Sequence, residues 1–86
     1  MKVRIPDPLR SYTDREKVVE ADGATIGDLL ADLDRRYPGI RFRMVDEQGA
    51  LRQHVNVWLD RERCRDLSAS LDGVDEVVIM QALSGG

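Results

Sequence analysis

The residues best suited to do chemistry stand at the very end of the chain. Gly85 and Gly86 close the sequence behind Leu83 and Ser84. At a background glycine frequency of about 7%, chance ends roughly 0.5% of chains this way. A frayed end or a cleavage gives the same two letters. The functional alternative is steric. A backbone carboxylate that must enter a narrow channel in another protein cannot carry a Cβ just behind it, and glycine reaches backbone angles that other residues adopt only with strain. Extended, the segment from Leu83 to Gly86 reaches roughly 10 to 13 Å. That is far enough to place a terminal carboxylate in a neighbouring active site while a folded body stays outside.

The other chemical residues are few. Cys64 is the single cysteine, so it makes neither an internal disulfide nor a cysteine-only metal site. Arg63 and Arg65 beside it could lower its pKa, but a free cysteine more often serves as a small hydrophobe. His54 is the single histidine, which leaves no His/Cys cluster for zinc. It has no cysteine or serine nucleophile at a recognisable spacing, and reads as a surface or turn residue. Asp14, Glu16, Asp60 and Glu62 form no recognisable carboxylate pair. No G-x-x-x-x-G-K-[ST] loop is present, which argues against nucleotide handling by this chain. Arg35, Arg36, Arg41 and Arg43 make a basic stretch whose default is a solvated face, with steering of an acidic partner as the alternative. Trp58 either covers the far face of a sheet or marks a partner surface, where tryptophan is enriched. Leu83 is either the last buried strand residue or an anchor for the tail on a partner.

Eighty-six residues suffice for one compact domain with a modest core and no large enclosed site. Thirteen basic residues against sixteen acidic give a net charge of −3, which disfavours a dedicated nucleic-acid binder. No apolar run is long enough to span a bilayer. Met1-Lys2-Val3-Arg4 lacks the apolar stretch of an export signal, so a cytoplasmic location is expected.

The elements that must hold the tail follow from periodicity. Val3 and Ile5 alternate with Lys2 and Arg4 as a short strand, which Pro6-Asp7-Pro8 interrupts. Leu9 to Arg15 is polar and reads as a hairpin loop. Lys17 to Glu20 is a second strand, stopped by Asp22-Gly23. Thr25 caps the clearest helix, with Asp28 three residues on. Ile26, Leu29, Leu30, Leu33 and Tyr37 fall on one helical face, with Asp28, Asp32, Asp34, Arg35 and Arg36 mostly on the other. Pro38-Gly39 ends the helix. A helical turn is expected around Phe42 to Val45, then a loop through Gly49. Val55 to Leu59 is the best strand, followed by a turn at Asp60-Arg61-Glu62 and a short strand over Arg63 to Arg65. Leu67 to Leu71 is a connection with room for one helical turn. Asp72-Gly73 turns the chain into a last strand, Val77 to Leu83. The expected class is α+β, a mixed sheet of four to five strands packed on one main helix. The domain would span 1–83, with 84–86 as a flexible Gly-Gly tail.

In this order the sequence resembles the ubiquitin-like, β-grasp sulfur carriers of the MoaD/ThiS family over nearly its whole length. The marks are the helix opening Gly23-Ala24-Thr25-Ile26-Gly27-Asp28-Leu29-Leu30 and its close Tyr37-Pro38-Gly39-Ile40. His54-Val55-Asn56-Val57-Trp58-Leu59-Asp60, Asp72-Gly73-Val74-Asp75-Glu76-Val77-Val78-Ile79 and Gln81-Ala82-Leu83-Ser84-Gly85-Gly86 complete them. The middle segment is most similar to the carrier type of cysteine biosynthesis. Many members have proline where Gln81 stands.

The resemblance implies a carrier rather than an enzyme. A ubiquitin-activating-like adenylyltransferase would use ATP to adenylate the Gly86 carboxylate, and sulfur would displace AMP to leave a C-terminal thiocarboxylate. A sulfur-accepting biosynthetic enzyme would then consume it. Leu83, Ser84 and Gly85 would contact these partners, and a metalloprotease that trims or releases the C-terminus is a further candidate partner. No bound cofactor, metal, nucleic acid or membrane is implied. Three alternatives stay open: a modifier joined through Gly86 to lysines, a small subunit of a molybdopterin-synthase-like complex, and a β-grasp interaction module whose Gly-Gly end is incidental.

Overall fold

The structure is a computed structural model and describes residues 1–82. In chain order it has strand β1 (Lys2–Arg4), a 3₁₀ helix (Asp7–Thr13), β2 (Val18–Glu20), helix α1 (Ile26–Arg36), a short α2 (Ile40–Met44), β3 (Val55–Leu59), β4 (Glu62–Cys64) and β5 (Glu76–Gln81). The strands form one sheet in the order β2-β1-β5-β3-β4. β1 and β5 run parallel, with Val3 opposite Val77, and every other pairing is antiparallel.

Alternation along the strands sends Val3, Val19, Val55, Val57, Val77 and Ile79 to one face, where all are buried. Ile26, Leu29, Leu30 and Leu33 of α1 join them in a single core, and Ile40 and Met44 extend it. Local chemistry sets the limits of α1. The Thr25 hydroxyl accepts the Asp28 N–H at 3.1 Å, which satisfies one of the unpaired amides of the first turn. At the other end Pro38 cannot continue the ladder. Gly39 takes φ +97, and the Asp34 carboxylate accepts the N–H groups of Gly39 and Arg41, tying α1 to α2. Gly23 is required by close approach. A Cβ there would lie 2.4 Å from the Leu29 nitrogen.

Several expectations need correction. Leu9 to Arg15 does lie in the hairpin connection between the antiparallel β1 and β2, but it is not an irregular polar loop; the 3₁₀ helix occupies Asp7–Thr13 and buries Leu9 and Thr13. The Thr13 hydroxyl donates to the Glu16 carbonyl at 2.8 Å, and Asp14 closes the helix in the left-handed region. Asp32 is not on the solvated face of α1. It is buried at 6% exposure, where its carboxylate accepts the Asp22 N–H at 2.8 Å and the Arg36 Nε at 3.0 Å, with Arg35 also bonded. A buried charge is tolerated because it is so fully paired. β4 starts one residue earlier than expected because Asp60-Arg61 alone make the turn, with Asp60 at φ 55. Leu67 to Leu71 holds a turn and an isolated Thr25–Ser70 bridge rather than a helical turn. β5 spans Glu76–Gln81, so Ala82 lies beyond the strand. The parallel β1–β5 pair at the centre of a mixed sheet, with α1 packed across it, is the β-grasp arrangement.

Candidate functional site

The expected site residues, Leu83, Ser84, Gly85 and Gly86, lie outside the described residues, and so does the tail assigned to 84–86. The described chain ends at the base of that segment. β5 is held by β1 on one side and β3 on the other, with Gln81 opposite Val55. One further bond, from the Ala82 N–H to the His54 carbonyl at 2.8 Å, carries the ladder just past the strand. Central pairing fixes both the position and the direction of the chain at Ala82.

Arg65 fixes the facing segment. Its guanidinium donates to the carbonyls of Leu51 and Arg52, both at 3.1 Å, to the Asn56 side chain at 3.2 Å, and to the Val55 carbonyl. Five donors in a rigid fork suit this gathering of carbonyls. The sequence assigns Arg65 to a strand and gives no sign of the role.

A groove of about 870 Å³ opens beside the end of β5. The 3₁₀ helix supplies Pro8, Leu9, Ser11 and Tyr12, and α2 supplies Phe42 and Arg43. The loop Asp46 to Gln48 lines it with Arg52, His54 and Gln81. Its aromatic and cationic groups are paired. The Arg43 Nε donates to the Tyr12 hydroxyl at 2.7 Å, a bond that raises the Arg43 pKa and keeps it charged. Arg52 lies 4.9 Å from the centre of the exposed Phe42 ring, and its Nε donates to the Phe42 carbonyl at 2.9 Å. The Asp46 carboxyl is held below its ordinary pKa, first by the Ala50 N–H, then by the Gln48 N–H and the charge of Arg52. His54 stands in the turn before β3, as expected, and is half-buried on the groove wall.

The sheet face opposite α1 carries a second feature. Trp58 lies beside Val78 of β5 and Arg63 of β4, and Asn56 beside Met80. Met80 is 51% exposed and Val18 37%. Trp58 is half-buried and therefore only partly covers this face. Met80 is absent from the sequence-based candidates, although an uninterrupted Val77-Val78-Ile79-Met80 run signals apolar groups on both faces of one strand.

The remaining candidates do not converge on either feature. Cys64 is half-buried at the far edge of the sheet, with its Sγ 3.9 Å from the Asp66 carbonyl. Arg35 and Arg36 are paired with Asp32, and Arg36 also with Asp22, so the basic stretch of the sequence is not one patch. Asp60 accepts the Glu76 N–H at 3.0 Å and serves the turn. Among the described residues, no group of three His, Cys, Asp or Glu could hold a metal ion, and no helix is long and apolar enough to cross a membrane.

The model of the ThiS family matches residues 3–86. The sulfur carrier protein CysO of Mycobacterium tuberculosis is 36% identical over 89 aligned positions, covering 98% of this chain and 96% of that protein. A chain of the crystallised Amycolatopsis orientalis BexX/CysO complex superimposes with a TM-score of 0.89 at 38% identity, covering 99% of this chain and 98% of that one. Small archaeal modifier protein 3 of Haloferax volcanii is 34% identical over 68 positions, covering 76% of this chain and 73% of that protein.

Proposed function

The chain belongs to the ThiS family, and on that premise we propose that it is a sulfur carrier whose working group is the Gly86 backbone carboxylate. The single observation that carries this reading is the terminal Gly85-Gly86 pair, four residues beyond a β5 strand locked into the centre of the sheet. Backbone hydrogen bonds hold the chain as far as Ala82, and Gly86 follows four residues later in the sequence. Similarity to the CysO sulfur carrier supports the same assignment.

The chemistry starts from an unreactive group. A free carboxylate resists nucleophilic attack. A ubiquitin-activating-like adenylyltransferase joins a carboxylate oxygen of Gly86 to the α-phosphorus of ATP and releases pyrophosphate. A sulfide-equivalent nucleophile then attacks the acyl carbon, and AMP leaves with the bonding pair. The product is a thiocarboxylate, a soft nucleophile for a sulfur-accepting biosynthetic enzyme of the cytoplasm. Leu83, Ser84 and Gly85 are the residues a partner channel would grip, and a C-terminal metalloprotease fits as a trimming or releasing partner. The chain is a co-substrate of these enzymes and supplies no catalyst. The outer sheet face, with Trp58, Val78 and Met80 on strands β3 and β5, gives a partner an apolar surface on the strand that leads to the C-terminal segment.

Similarity to a small archaeal modifier protein supports a second reading, in which the same adenylate is captured by a lysine amine. Intact mass separates the two. With an activating enzyme, ATP and sulfide, the chain should gain the mass of one oxygen-to-sulfur exchange, localised to Gly86 and lost when Gly86 is deleted. A lysine-linked adduct would select the modifier. An unchanged mass with several competent activating enzymes would overturn both.

A further inference from the structure

The chain leaves the sheet at Ala82, and one bond fixes that exit. The Ala82 N–H donates to the His54 carbonyl at 2.8 Å. Gly86 follows four residues later, so it can lie no further than roughly 14 Å from this anchor. Release of Ala82 and Gln81 from the ladder would widen that limit to roughly 20 Å. A tethered group is diluted as its tether lengthens. The His54 carbonyl therefore bears on any reaction at Gly86.

That carbonyl is held in turn by its neighbours. His54 sits in a tight turn in which the Val55 N–H donates to the Arg52 carbonyl at 3.0 Å. On one side the turn is tied to α2, because the Arg52 N–H donates to the Met44 carbonyl at 2.9 Å. On the other side it is tied by Arg65. The Arg65 Nη2 donates to the carbonyls of Leu51 and Arg52, both at 3.1 Å. Its Nη1 donates to the Asn56 side chain at 3.2 Å and to the Val55 carbonyl. These four acceptors bracket His54.

Nothing else about Arg65 accounts for its place. It forms no ion pair among the described residues. All its acceptors are neutral, and it reaches back from the segment after β4 to the segment before β3. A guanidinium can span them because its donors diverge in a fixed plane. An ammonium offers three donors from one atom and cannot.

We infer that Arg65 is a positioning residue for the reaction at Gly86. It acts through the turn at 52–55 and the His54 carbonyl, and it sets the point from which the C-terminal segment starts. The inference rests on the reading of Gly86 as the working carboxylate. Arg65 touches no reacting atom; it keeps Ala82 on the ladder, so that a partner docked on the body meets Gly86 within a fixed radius.

Amide hydrogen exchange of the full chain and its steady-state turnover by the activating enzyme, read as pyrophosphate release, test this together. Arg65→Gln should speed exchange at Ala82 about tenfold relative to Ile79, the effect of opening one hydrogen-bonded site. Its kcat should fall about three- to tenfold at unchanged KM, because the outer sheet face is untouched. Arg65→Lys keeps the charge but reaches fewer acceptors. It should fall between the two proteins, and it guards against misfolding of the first variant. Leu30→Ala is the comparison for a purely structural loss. It should speed exchange at Ala82 and Ile79 alike and leave kcat per folded molecule unchanged. An Arg65→Gln protein that behaves like Leu30→Ala would overturn the proposal. Unchanged Ala82 exchange, or an unchanged kcat, would overturn it as well. Sulfur gain by the unaltered chain, read by mass, reports the carrier function separately, so either idea can fail alone.

Discussion

The two faces of the sheet come from the same strands by the same alternation, yet they differ sharply in cover. Toward α1, Val3, Val55, Val57 and Val77 are wholly buried, and four residues of the helix seal them. On the other side Val78, Trp58 and Met80 form an apolar band that nothing among the described residues covers completely. A small domain gains little by keeping a methionine half in water. The inner face accounts for folding, and the outer face makes sense as a surface for another protein. The difference teaches that apolar content alone does not locate a core. What matters is whether a second layer lies within reach.

This contrast breaks if an inner-face truncation is mild. Leu30 is fully buried, and Leu30→Ala should cost about 2–5 kcal/mol in denaturant unfolding through lost transfer energy and a residual cavity. Sulfur loading per folded molecule should be unchanged. A loss of thiocarboxylate formation out of proportion to unfolding would mean that the inner layer also shapes the tail.

An outer-face change should do the reverse. Met80→Thr keeps a strand-compatible side chain and should alter stability by no more than about 0.5 kcal/mol. The kcat/KM of the activating partner should fall about three- to tenfold, which is roughly 0.6–1.4 kcal/mol of lost interaction. Equal loss of stability and of partner turnover would erase the distinction between the faces.

The smallest effect sharpens the contrast at the margin of the inner layer. The Asp32 carboxyl lies below its ordinary pKa of 3.8, chiefly through the Asp22 N–H and then through Arg35 and Arg36. A depressed folded pKa contributes stability that is present above the unfolded value and lost as pH falls through the folded one. Asp32→Asn should therefore destabilise at pH 7, by an amount that starts to shrink as pH falls through 3.8 and vanishes only below the depressed folded-state value. Stability curves of the two proteins should converge on acidification, with Asp46 and Asp66, also depressed, keeping an acid limb in both. Parallel curves would show that Asp32 contributes shape and not charge.

Most of the fold was legible because its signals are short-range. Ile26, Leu29, Leu30 and Leu33 share one side of a 3.6-residue period, and Thr25 and Asp28 mark its start within one turn. Val55-Asn56-Val57 shows the period of a half-buried strand. The misses are residues whose surroundings come from elsewhere. Leu9 and Thr13 offer too few apolar positions to announce a helix between Pro6 and Asp14. Asp32 belongs by type on a surface, and only the Asp22 N–H, delivered by the segment after β2, makes its burial tolerable. Arg65 has no local partner at all; its acceptors lie 9 to 14 residues earlier.

The sequence by itself determined the helix and strand identities, the turns, and a chain that ends in two glycines, because propensity, capping and side-chain bulk act over a few residues. Tertiary structure alone decided where that end begins. The parallel pairing of β1 with β5 joins segments far apart in the chain, and Arg4 Nε reaches Glu76 at 3.0 Å across 72 residues. That closure brings the end of β5 beside the 3₁₀ helix, α2 and Arg52, so the groove exists only once the sheet is complete. Contacts of such separation depend on the summed burial of the whole inner face, which no local window of sequence contains.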